Sequence, residues 1–393
     1  MNITVSFSKQ DQYIVESLAS QAAVTITNRI LINAQKELFD SFIKLVAKAI
    51  DEKSPYTGGH CRRVPVISLM LADAACEVNH GPLKEFRMNE DELYELELAA
   101  WLHDCGKITT PEAIVDKSSK LEGIHDGINL IATRFEIIKR DTVIHFLQEK
   151  MKQISGCIVD LEAESNLQKQ LKEIINNLDF IKKCNIGSEF MQAEDLQRIA
   201  KLSELRLSGI SGKEEPLLTK QEIQMLSIRH GNLSDKERSI INNHVSMTLK
   251  MLQSLPYPKN LKNIPELAAS HHERMDGKGY PRGLTKDQLS LPARIIAIAD
   301  IFEALTANDR PYKKAIPLTS ALDIMERLKK EGHIDPDLFD VFMEKDIPQR
   351  YAELYLMEAS SFKFGHVLMH TPSLNELAPH LKLGVTLYLS SII

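Results

Sequence analysis

The sequence predicts an all-α protein: a helical bundle with a long N-terminal helix and an inserted helical subdomain. Three observations carry that expectation. Residues 10–51 hold neither proline nor glycine and repeat apolar residues at helical offsets, from Ile14, Leu18, Ala22 and Ile26 on to Phe42 and Leu45. Aromatic residues are sparse, at 6% of 393, while Leu, Ile and Ala abound, and runs of strand-like alternation are few. Helix-starting signals such as the Ser234/Glu237 pair lead directly into apolar-periodic stretches.

Along the chain, "ITVSF" at 3–7 is the best strand candidate. Residues 10–51 form one or two long helices, whose apolar stripe packs either on its own domain or on a partner chain. "SPYTGG" at 54–59 interrupts, and helical patterning resumes to Glu77. A loop follows, then a helix from Glu92 to Cys105 that stops at Gly106. Residues 120–232 read as polar and mostly helical, with a possible hairpin arm and a loop at "LSGISGKEEP". The helix opened by Ser234 runs to about Leu255, where "LPYPKN" ends it. Pro292 stands near the start of "LPARIIAIADIFEALTA", which is apolar nearly all round and therefore buried.

A formal net charge of −6 argues against binding polymeric nucleic acid, though not against a small anion held by a local cationic patch. Five cysteines (61, 76, 105, 157, 184) form no CxxC pair, which suggests reduced thiols and a cytoplasmic protein. No apolar run reaches the roughly 18 residues of a membrane span. The closing "LKLGVTLYLSSII" reads as a packed strand or short helix, and the N-terminus carries no targeting pattern.

Chemistry concentrates in a few places. His103 and Asp104 sit side by side in an apolar helix, and Asp300 lies in the middle of a buried one. A buried carboxylate needs a cation or hydrogen bonds to offset its desolvation. His244 shares a helix face with Ile240, Ile241, Met247 and Met251. His271 and His272 precede Glu273 and a glycine-rich segment, and would point about 100° apart if helical, favouring two different metals over one. His60 opens a helix. Each has a plain structural alternative, such as an ion pair or a core histidine. Taken together, five imidazoles and two carboxylates without a thiolate suit a first-row metal. Seven donors exceed one catalytic metal and fit a pair about 3.5–4 Å apart, bridged by one Asp.

These residues resemble the signature of the HD-GYP family. "HDCGK" (103–107) is similar to its HD motif, and "HHERMDGKGYP" (271–281) to its second block, with Gly279, Tyr280 and Pro281 as the GYP itself. "ARIIAIADIFEALTANDRPYKKA" is similar to the family's following helix and DRPY stretch. The resemblance implies a cyclic di-GMP phosphodiesterase yielding linear pGpG, GMP or both, as the output part of a bacterial signalling protein. It implies the metal ligands His60, His103, Asp104, His244, His271, His272 and Asp300, with Asp104 as bridge. Catalysis would rest on Asp104 and Lys107, and substrate contacts on Lys107, Arg274, Gly279, Tyr280 and Arg310. The cofactor would be two divalent ions, iron or manganese before zinc, magnesium or nickel. Tyr56 stands where trinuclear members carry a Glu, which argues for two metals.

"VESLASQAAVTITNRIL" looks like the closing helix of a GAF sensor domain. The expected organisation is a GAF-like remnant and signalling helix at 1–51, the HD-GYP domain at 52–120 and 233–345, an insertion at 121–232 and an extension at 346–393. A homodimer through the N-terminal helix is expected. Another HD-class nucleotide phosphohydrolase, or a silent ligand-binding module, is the competing reading.

Overall fold

The computed structural model describes residues 8–53, 59–123, 125–152, 161–187, 191–208, 212–307 and 316–355. The strand candidate at 3–7, the tail at 381–393, Tyr56 and Arg310 lie outside them. By internal contacts the chain divides into residues 1–347 and 348–393.

The described residues are almost wholly helical, as the periodicity predicts. The proline-free stretch is one helix, α1 (Lys9–Lys53), of which only the final turns bury a face, through Ile43, Ala47 and Ile50. Next come α2 (His60–Cys76), α3 (Glu90–Leu102) and the short α4 (Glu112–Val115). Residues 121–232 supply α5 (Ile128–Lys152), α6 (Leu161–Ile186), α7 (Ala193–Ser203) and α8 (Lys220–Leu226). Two three-residue strands, β1 (Arg206–Ser208) and β2 (Glu214–Pro216), pair antiparallel with Leu207 opposite Glu215, where the sequence suggested only a loop. Leu207 has a reason to be ordered: it joins Ile131, Phe135, Ile181, Ile199 and Leu226 in a core private to this region. A groove of about 630 Å3 beside that core is lined by His145, Glu149, Gln170 and Arg206 and shares no residue with the histidine cluster.

The remaining helices are α9 (Asp235–Gln253), α10 (Ile264–Ala268), α11 (Leu291–Thr306), α12 (Leu318–Lys330), α13 (Pro336–Glu344) and α14 (Ile347–Tyr355). α9 begins where the sequence signals, with Ser234 and Glu237 bonded reciprocally to each other's backbone. α11 starts on the Ser290 cap with Pro292 in its first turn and buries Ile295, Ile296, Ala299 and Phe302. It packs on α2, α2 packs on α3, and α10 packs on both α3 and α9.

Two boundaries differ from expectation. α3 ends at Leu102, so His103 and Asp104 stand just past a helix terminus, and a 3-10 turn runs from Cys105 to Thr109. α10 ends at Ala268, which leaves His271 and His272 in a turn. Both pairs thereby escape the fixed side-chain spacing of a helix.

Candidate metal centre

Helix ends, caps and glycines bring the seven residues together. Asp51, in the last turn of α1, accepts from the Gly59 and Cys61 amides at 3.0 and 3.4 Å, so α1 caps the helix that His60 begins. Pro65 lies inside α2 but does not carry His60 away: its Nε2 is 3.2 Å from His103 Nε2. Gly106 is where the turn after Asp104 meets α9. A Cβ there would lie 2.0 Å from the His244 carbonyl oxygen, so only glycine permits this approach. Thr248, one turn beyond His244, seals the junction. Its hydroxyl accepts from the Gly106 amide at 2.9 Å and donates to the His103 carbonyl at 3.1 Å.

Three imidazoles are oriented in the same way. Nδ1 of His103, His244 and His271 lies 2.7, 2.5 and 2.7 Å from the carbonyl oxygen three residues upstream. A carbonyl only accepts, so Nδ1 carries the proton and Nε2 turns inward. His60 is held by a carboxylate instead: its Nδ1 bonds Glu303, which also accepts from Arg63 Nε at 2.6 Å. The sequence reading missed Glu303. The available signal was an acid three residues after Asp300 in a helix apolar nearly all round.

Asp104 lies at the middle. Its Oδ2 is 3.4 Å from His60 Nε2 and 3.3 Å from His103 Nε2, while its Oδ1 is 3.2 Å from His244 Nε2 and 3.8 Å from His271 Nε2. Asp300 Oδ1 joins the first side, 3.2 Å from His60 Nε2. His244, His271 and His272 form one group whose donor atoms lie within 4.8 Å of one another, and His60, His103 and Asp104 form a second. The adjacent histidines therefore serve one group. Their rings lie 4.2 Å apart at 46°, because a turn, unlike a helix, lets neighbouring side chains face the same way.

Charges follow the same division. Burial opposes ionisation of Asp104, yet Lys107 and His103 hold its carboxyl well below the usual carboxylate range. Burial likewise opposes charge on His103, but Asp104 and Asp300 raise it to about 9. On the other side burial, with His272 and His103 nearby, keeps His271 far below its ordinary value, and burial brings His272 down to about 4. Burial thus favours the neutral imidazole at both, the form that binds metals.

The donor set fits a divalent cation. Asp104 Oδ1, His244 Nε2 and His271 Nε2 are buried and make no hydrogen bond, although two of them face each other at 3.2 Å. Leaving three such atoms unpaired costs on the order of 1–3 kcal/mol each, a cost that coordination removes.

The glycine-rich segment after the histidines is pinned from within. Glu273 accepts from the amides of Arg282 and Leu284, each at 2.8 Å. Gly277 takes φ +75, as its turn requires. Gly279 does not share that backbone. It is needed because a Cβ would meet the backbone of 272–274 at 2.5–2.6 Å. Tyr280 stacks on His272 at 4.8 Å, so its ring supports a member of the cluster. Arg274 is engaged by Asp276 through two bonds of 3.0 and 2.8 Å. Lys107 places its ammonium 2.5 Å from Asp104 Oδ2.

A buried cluster of histidines and aspartates split across one carboxylate has the donor chemistry that suits divalent cations. Residues 220–338 match the HD domain family. Several of the chain's relatives are cyclic dinucleotide phosphodiesterases. It is 39% identical over 126 residues to a 3′3′-cGAMP-specific phosphodiesterase of Vibrio cholerae, covering 32% of this chain and 26% of that one. It is 36% identical over 115 residues to a cyclic di-GMP phosphodiesterase of Pseudomonas aeruginosa, covering 29% and 26%. It is 34% identical over 126 residues to a cyclic di-GMP phosphodiesterase of Thermotoga maritima, covering 32% and 33%. The chain spans a third or less of the length of these relatives. No described helix is long and apolar enough to cross a membrane.

Proposed function

We propose that this chain is a binuclear metal-dependent phosphodiesterase that hydrolyses cyclic di-GMP, the output part of a signalling protein. The observation that carries the reading is the Asp104 carboxylate, whose two oxygens face two separate imidazole sets. His60, His103, Asp104 and Asp300 would hold one ion, and Asp104, His244, His271 and His272 the other, iron or manganese in each case. Such a pair polarises a phosphodiester and makes water nucleophilic towards it.

The chain's own residues supply the rest. Glu303 and the three backbone carbonyls fix the imidazole orientations before substrate arrives, so little reorganisation remains for the reaction. Burial disfavours the Lys107 ammonium, but Asp104 beside it raises its affinity for the proton. Its side chain is 22% exposed, which puts a cation at the mouth of the cluster, suited to a phosphate oxygen and to holding a proton for the leaving oxygen. Tyr280, backed by His272, fixes the loop against which a base would rest.

The homodimer belongs to the same reading. Val24, Leu31, Leu38 and Leu45 recur at seven-residue intervals on α1 and are 60%, 61%, 59% and 60% exposed. They lie away from the buried Ile43, Ala47 and Ile50, and Thr27, Ala34 and Ser41 fall between them. An exposed apolar stripe of that period, with small residues between, suits a second copy of α1 laid alongside.

The test is metal analysis of anaerobically purified protein, with turnover of cyclic di-GMP, 3′3′-cGAMP and nucleotide monophosphates and polyphosphates. Two metals per chain and hydrolysis of cyclic di-GMP are expected, and Asp104→Ala should lose both. Metal-loaded protein inert towards cyclic dinucleotides, or active only on linear nucleotides, would overturn the assignment.

A further inference from the structure

Two segments carry the proposed metal and phosphate groups, and the last turn of α1 grips both. Asp51 holds the N-terminus of α2, at His60, through the Gly59 and Cys61 amides. Two residues on, Lys53 Nζ donates to the carbonyl oxygens of Lys107, Ile108 and Thr110 at 3.2, 2.6 and 2.6 Å. One ammonium thus closes the 3-10 turn behind Lys107. The two side chains lie about 200° apart around the helix axis, so one reaches α2 while the other reaches the turn. Upstream, the same helix runs into a long stretch with no buried residue.

We propose that Asp51 and Lys53 are positioning residues through which the seating of α1 sets how His60 and Lys107 face Asp104. Three carbonyls meeting on one ammonium form a charge-assisted site. When Lys53 is removed they turn to water and the 107–110 turn loosens. Lys107 then loses its fixed distance to Asp104, while the imidazoles keep theirs. Loss of Asp51 does the reverse. The first turn of α2 frays, and His60, its first residue, loses its hold, while Lys107 stays clamped. A shift or rotation of α1 would act on both at once, which makes the helix a control element for the centre. The inference rests on the phosphodiesterase reading, but its structural half can be read without turnover.

The experiment uses the full chain with Lys53→Met, Lys53→Arg, Asp51→Ala and Asp51→Asn. Metal affinity is measured by competition of Mn2+ with a chelating dye, kcat and KM with cyclic di-GMP, and local opening by hydrogen–deuterium exchange. Lys53→Met should keep two metals and lower kcat about tenfold, with faster exchange across 104–110; Lys53→Arg should recover most of it. Asp51→Ala should weaken one of two Mn2+ equivalents about tenfold, with faster exchange across 60–64; Asp51→Asn should recover part. The inference fails if the variants stay within twofold of the parent, or if both lose metal, kcat and thermal stability in the same proportion, as general destabilisation would. If the parent does not hydrolyse cyclic di-GMP, the functional reading falls, and the Mn2+ and exchange results still decide this one.

Discussion

Gly106 and Thr248 show how single atoms determine the centre. Gly106 makes contacts in which an added methyl would strike the backbone of α9 rather than a side chain able to swing aside. Gly106→Ala should therefore push α9 outward and take His244 with it. The expected cost is about 1–3 kcal/mol of stability, read by urea unfolding, together with loss of one Mn2+ equivalent. Thr248→Val keeps the shape but strands the Gly106 amide and the His103 carbonyl in a buried place. That should cost about 1–3 kcal/mol, and the variant should still bind metal if His103 keeps its bond to Ala100. Glu303 belongs at this scale too. Its carboxyl is drawn down to about 2 against the opposing effect of burial, because His60 and Arg63 face it. Glu303→Gln removes the negative charge from behind His60, and the Mn2+ affinity of the set containing that residue should fall about tenfold.

At the scale of the element, helix ends matter more than helix interiors. Five of the seven clustered residues stand at a terminus or in a turn: His60 opens α2, His103 and Asp104 follow α3, and His271 and His272 follow α10. α9 contributes His244 from within, so the position of its start fixes that imidazole's place. Its capping box is reinforced by Lys117, 2.7 Å from Glu237. Burial raises the Glu237 carboxyl, but the bonds from Lys117 and Ser234 outweigh it and hold the group below its ordinary value. A carboxyl depressed in the folded state stabilises above its unfolded pKa, about 4.3, and loses that contribution as pH falls through the depressed value. Glu237→Gln keeps an acceptor for the Ser234 amide but loses the ion pair with Lys117, and should cost about 0.5 kcal/mol near pH 7. The gap between variant and parent should narrow as unfolding is repeated below pH 4.3; a gap independent of pH would show that charge plays no part.

For the molecule as a whole, the segment 121–232 is tied off at its neck. The Asn232 side chain donates to the Ser118 carbonyl at 2.6 Å, and Lys120 Nζ to the carbonyls of Leu226 and Ile228 at 3.1 and 2.7 Å. With its entry and exit adjacent and a core of its own, this segment should be dispensable for metal binding, although its last residues overlap the HD domain match at 220–338. Replacing residues 122–228 with a short Gly-Ser linker should leave two Mn2+ equivalents bound, by the same dye competition. Loss of both would make the segment part of the centre's scaffold. The α1 stripe gives a prediction of the same reach. Leu31→Glu with Leu38→Glu should yield monomers in light scattering while the metal content is kept. Val24→Cys and Leu45→Cys should each cross-link two chains, since a parallel pairing sets each residue against itself.

Much of this was written in the order of residues. Periodicity fixed the helical class, and Ser234 with Glu237 marked the start of α9, because both are local and need no partner from elsewhere. The seven candidate donors were legible from acids and histidines in apolar stretches together with the resemblance to the HD-GYP family, because each alone also fits an ion pair or a core histidine. Their grouping was not legible. Whether His271 and His272 face one site or two depends on where α10 stops, and that depends on how it packs against α3 and α9. Glu303, Thr248, Asp51 and Lys53 look like ordinary helix residues until the fold sets them beside partners between 8 and 243 positions away. Tertiary structure alone decided those contacts, because a hydrogen bond is set by distance and direction in space, and sequence separation constrains neither.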